Sequence, residues 1–131
     1  MYNTKKLANF CVVNVEEYKI ICKRPDAFQR SVLEASEREL LSRHPPSALR
    51  LQEILRGAPI SKPGLHNNDK DTDYFLVTLN VAEAEQIMEY LIDAETDSVG
   101  RFGETTQQSS RFASLVDAWV RYIDFRDETA D

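Results

Sequence analysis

The sequence predicts an α+β fold dominated by helix, with about four helices beside a small sheet. Three observations lead there. Apolar residues recur at helical spacing in two stripes, Val81–Ile92 and Phe112–Ile123. The short run Tyr74–Leu79 is aromatic and β-branched, and reads as strand. A strand cannot stand alone, because its backbone donors and acceptors need partners, so a second extended segment is expected. Without that segment the alternative is an all-α fold. The 131 residues, 42% hydrophobic and 29% charged, suit one folded domain over 1–131 rather than a disordered chain.

Residues 7–23 carry two signals. Val12, Val13, Val15, Ile20 and Ile21 are β-branched, and Tyr18, Ile20 and Cys22 alternate with charged residues at the strand period. Leu7, Phe10, Cys11, Val15, Tyr18 and Cys22 also share one helical stripe. The strand at 74–79 needs a partner, which favours the extended reading over residues 10–22. Pro25 then breaks the chain, and Asp26 offers a carboxylate to cap a helix running to about Arg43. Phe28, Val32, Ala35 and Leu40 suit its buried side, and Glu34–Arg38 has the spacing of an ion pair.

Pro45 and Pro46 end that helix, and Ser47 is placed to cap the next. Leu49, Leu51, Ile54 and Leu55 supply its apolar contacts, and Gly57 suits a left-handed stop. Residues 58–72 hold Pro59, Pro63, Gly64, Asn67 and Asn68, and read as a polar loop. After the strand, Asn80 and Glu83 approximate a capping box for the Val81, Ala84, Ile87, Met88, Leu91, Ile92 helix. Glycines 100 and 103 mark a loop before a final helix from about Thr106 to Asp124. Its stripe is Phe112, Leu115, Val116, Trp119, Val120 and Ile123, and the end from 127 is expected to fray.

Charge is uneven along the chain. Residues 1–64 carry five Lys and six Arg against seven acids, net +4, and residues 65–131 carry a net −10. Such asymmetry speaks to partners and association rather than to fold. Lys5 and Lys6 precede a short apolar stretch, Leu7–Val15, that mimics an export signal. Asn9 and Asn14 interrupt it, and Glu16 and Glu17 stand where small residues belong, so a cytoplasmic protein is expected. No apolar run is long enough to span a membrane.

Chemical motifs are sparse. Cys11 and Cys22 form no CxxC pair and read as reduced, buried thiols. With only His44 and His66 beside them, zinc spacing is not met, so no metal or cofactor is expected. No GxSxG, P-loop, GxGxxG or HExxH pattern occurs. The leading expectation is therefore a non-catalytic regulatory or interaction protein that binds another protein, or a second copy of itself, through the acidic second half. Glu83, Glu85, Glu89 and Asp93 would form the contact row, and Tyr122, off the main stripe of its helix, an exposed anchor.

Two other readings follow from other segments. His66, Asp69, Asp71 and Asp73 would make the 58–73 loop an enzyme or small-ligand site, since long loops often carry function. The aspartate spacing resembles the start of a calcium loop, but Tyr74 stands where Gly is needed and Asn80 where Glu is needed. Residues 26–57 read as helix, turn, helix, with Arg50, Gln52 and Arg56 on a face that would enter a nucleic-acid groove. Nucleic acid is the less expected partner, because the net charge of −6 repels phosphate and Glu53 dilutes that face.

Overall fold

The computed structural model describes residues 15–62, 73–100 and 103–129. The order is α1 (Val15–Cys22), β1 (Ala27–Gln29), α2 (Arg30–Arg43), α3 (Pro45–Arg56), β2 (Tyr74–Leu76), α4 (Val81–Asp97) and α5 (Gln107–Thr129). Among the described residues, five helices accompany one two-stranded antiparallel sheet. The helix-dominated α+β class is therefore the observed one.

The sheet partner is not the segment the sequence favoured. Val15–Cys22 is helix, and β1 begins only at Ala27. Glu16 and Glu17 lie in the first turn of α1, where carboxylates suit the positive end of the helix dipole. Tyr18 is the buried side chain of α1, and the chain turns out tightly before Pro25, with Arg24 N–H donating to the Ile21 carbonyl at 3.0 Å. Residues 10–14 of the expected strand lie outside the described residues.

β1 pairs with β2 in the register Ala27 to Leu76, Phe28 to Phe75 and Gln29 to Tyr74. Val77 N–H donates to the Asp26 carbonyl and Arg30 N–H to the Asp73 carbonyl, both at 2.9 Å, so one more bond extends each end. Ile60 N–H donates to the Tyr74 carbonyl at 2.6 Å. The strand stops at Leu76 rather than Leu79.

This sheet displaces the expected start of α2. Residues 27–29 are strand, the helix begins at Arg30, and its cap residue is Gln29 with no side-chain bond. The Asp26 carboxylate instead accepts from Arg24 Nε and Nη2, at 3.0 and 2.8 Å. The buried side of α2 is Leu33, Ser36 and Leu40, with Val32 and Ala35 packed against the core and Phe28 buried from β1. The spacing-four pair on α2 is Glu39–Arg43, at 2.6 Å, rather than Glu34–Arg38. An exposed pair gains too little to fix two long side chains by itself.

Pro45 opens α3, a position where the missing N–H was never needed and φ is already helical. The cap is therefore His44 rather than Ser47. Gly57 has φ −75° and ψ 178°, an extended backbone rather than the left-handed stop. Leu49 is exposed, while Ala48 and Leu51 face the core.

α4 and α5 behave more as their stripes predict. The Asn80–Glu83 capping box is formed: Asn80 Oδ1 accepts from Glu83 N–H at 2.8 Å, and Glu83 Oε1 from Asn80 N–H at 3.2 Å. Ala84, Ile87, Leu91 and Ala94 are buried, with Ile92 outside the core. Between the helices Gly103 takes φ +82°, a left-handed conformation costly for other residues. Thr106 Oγ1 accepts from Ser109 N–H at 3.0 Å and donates to the Ser98 carbonyl at 2.7 Å. One hydroxyl thus caps the first turn of α5 and ties it to the end of α4. The last helix continues to Thr129, past the point where fraying was expected. Val120 is exposed.

The core forms one cluster from Phe28 to Ile123. Its centre is aromatic. The Phe28 ring lies 4.5 Å from Trp119 and 5.8 Å from Tyr122, centroid to centroid, and the last two are 5.9 Å apart. Trp119 Nε1 donates to Ser36 Oγ at 3.2 Å, which satisfies two buried polar groups across α2 and α5.

Candidate functional site

The solvent face of α4 is built by its own periodicity. Ala84, Ile87, Leu91 and Ala94 turn inward, which carries Glu85, Glu89 and Asp93 to the opposite, exposed side at successive spacings of four. Ile92 stands 39% exposed beside them. None of the three carboxylates has an ion-pair partner among the described residues. Like charges at this spacing repel by a few tenths of a kcal/mol per pair (about 0.2–0.5). Asp93 and Glu95 also lie toward the helix end that favours cations, and no basic residue of α4 occupies that last turn. The row therefore works against the stability of its own helix.

Glu83 is different from the rest of the row. It closes the capping box, and its Oε2 accepts from Arg50 Nε at 2.9 Å. It is bound within the chain, and the exposed row reduces to Glu85, Glu89 and Asp93.

Tyr122 is not an exposed anchor. Its side chain is 0% exposed, within the aromatic centre, and its hydroxyl donates to the Leu79 carbonyl at 2.5 Å. Burial pushes its phenol up to about 12. The signal for this was present: Phe112, Leu115, Trp119 and Tyr122 follow spacings of three, four and three.

The groove-reading face is occupied from within. Arg50 contacts Glu53 as well as Glu83, both at 2.9 Å, and Gln52 Nε2 donates to Glu37 Oε2 at 2.8 Å. Arg56 is exposed. Arg50 and Gln52 thus each carry a carboxylate contact within the chain, while the Arg50 side chain stays 48% exposed.

Of the loop candidates, His66, Asp69 and Asp71 lie outside the described residues. Asp73 is part of the framework. Its Oδ2 accepts from Arg30 Nη2 at 2.8 Å and its Oδ1 from Lys62 Nζ at 2.5 Å. The Asp73 and Lys62 side chains are each only 10% exposed. The Lys62 bond, aided by Arg30, holds the Asp73 carboxyl below its ordinary value. Arg30 also lies over the Phe75 ring, 4.9 Å from its centroid. Asp73 so fastens the start of α2 and the segment after α3 to the head of β2.

One juxtaposition was invisible in the spacing rules. His44 Nδ1 and Ser47 Oγ lie 2.7 Å apart, beside a hollow of about 180 Å³ between α3 and α4. The His44 ring is stacked on Tyr90 at 4.8 Å, and Ser47 is only 6% exposed. The hydroxyl and the stacked ring latch the α3 entry at the wall of that hollow.

Among the described residues, no group of three His, Cys, Asp or Glu side chains is placed to hold a metal ion. Among the same residues, no helix is long and apolar enough to cross a membrane. No protein-family model, curated protein or solved structure matches the chain.

Proposed function

We propose that this chain is a non-catalytic regulatory or interaction protein of the cytoplasm, and that it binds a basic protein surface through the solvent face of α4. The observation that supports this is the row Glu85, Glu89 and Asp93, exposed and unpaired among the described residues, on a helix whose electrostatics it weakens. Groups that cost stability and lack internal partners are suited to an external cation. Ile92, partly exposed beside the row, adds one apolar contact. Such a row accelerates encounter with a basic partner and makes the encounter salt-sensitive.

The test is affinity capture from cell lysate with the immobilised full chain, at low and high salt, beside the double variant Glu85→Lys, Glu89→Lys. Both positions are exposed, so the variant is expected to fold. The wild type should retain a partner that high salt and the double variant both release. An identical captured set on both proteins at low salt would contradict the reading.

A further inference from the structure

A cleft of about 360 Å³ opens where the α1–β1 turn meets α2 and α5. That volume lies within the range of small-molecule sites, roughly 300–1,000 Å³. Its lining is amphipathic. Phe28, Val32 and Ala118 supply apolar surface, and Lys23, Arg24 and Arg121 supply cationic groups. In a chain of net charge −6, three cations around one hollow are a local reversal of sign.

The state of those cations matters. Arg24 is partly neutralised by Asp26, at 2.8 Å. Lys23 and Arg121 are exposed and have no ion-pair partner among the described residues. Tyr74, also in the lining, is half-buried, and its phenol is a hydrogen-bond donor at neutral pH. Donors and cations thus surround an apolar surface, with no carboxylate in the lining among the described residues.

The geometry points to this cleft as a binding site for a small organic anion: one carboxylate, sulfonate or phosphate group on an apolar, ring-sized body. The anionic group sits between Lys23 and Arg121, where charge-assisted hydrogen bonds are strongest. The body rests on Phe28, Val32 and Ala118. This site is independent of the α4 face, because it shares none of the residues proposed there.

The experiment is an amide chemical-shift titration of the full chain with naphthalene-2-sulfonate. Parallel titrations use 2-naphthol, which lacks the anionic group, and inorganic sulfate, which lacks the body. Saturating shifts are expected at Ala27, Phe28 and Ala118, with clearly weaker binding of either fragment. Arg121→Glu should weaken the sulfonate about tenfold or more, the loss expected for one charge-assisted hydrogen bond. Ala118→Leu, which fills the floor without touching charge, should weaken it as well. Absence of saturating shifts at those amides, equal binding of 2-naphthol or of sulfate, or affinities unchanged in both variants would overturn the proposal.

Discussion

The two ends of the charge distribution are handled in different ways. Four front-half cations, from α2, α3 and the segment after α3, are paired with acids of the back half. Arg30 and Lys62 hold Asp73, Arg43 reaches Asp97, and Arg50 reaches Glu83. Those four cations account for three of the back half's carboxylates. On the outer side of α4, Glu85, Glu89 and Asp93 receive none among the described residues. The asymmetry of +4 against −10 is thus partly a complementarity within one molecule, and only its remainder faces outward. That distinction separates residues that hold the fold from residues available to a partner.

The deepest test of the inward side is the aromatic centre. Trp119→Ala should destabilise by about 3–5 kcal/mol, since it empties a fully buried site and strands the Ser36 hydroxyl. Chemical denaturation measures it. A loss below about 1 kcal/mol would mean that the α2–α5 contact is not where the core lies.

Asp73→Asn comes next, with an expected loss of about 3 kcal/mol, because it removes the carboxylate that Arg30 and Lys62 share. This pair also predicts a pH dependence. The folded carboxyl has a depressed pKa, so its contribution is complete above the ordinary carboxylate value of about 4 and is lost as pH falls through the folded value. Acid unfolding of the wild type should show that loss, and the Asn variant should be less sensitive to pH over the same window.

Tyr122→Phe should cost about 1 kcal/mol, the net worth of one hydrogen bond. Here the sign reverses. The folded phenol is raised to about 12, so its contribution is complete below about pH 10 and disappears as pH climbs to the folded value. Melting curves at alkaline pH should converge for the two proteins if the Leu79 bond is the cause.

Much of the inward framework was legible in the sequence because its signals are local. The Asn80–Glu83 box, the α4 stripe and the Trp119 core position each depend on residues a few places apart. β1 is only three residues long, and its partner strand begins at Tyr74, so no local pattern marks it. The same holds for Asp73, whose role depends on Arg30, 43 positions away. Tyr122 was misplaced for another reason. The stripe Phe112, Leu115, Val116, Trp119, Val120, Ile123 omits Tyr122, while the helix buries Tyr122 beside Leu115 and Trp119 and leaves Val120 exposed. On the outward side, the sequence placed the acidic row on α4 but could not distinguish Glu83, tied to Arg50, from its neighbours.

Thermal melting at low salt of two neutralised variants tests the inward–outward division most directly. One variant, Glu85→Gln, Glu89→Gln and Asp93→Asn, removes the exposed row. The other, Glu83→Gln and Asp97→Asn, removes carboxylates that bind Arg50 and Arg43, while Gln at 83 retains capping ability. Opposite signs are expected: the first variant melts above the wild type as like-charge repulsion is relieved, and the second melts below it. A first variant that melts lower than the wild type would contradict the claim that this row is left over from the fold.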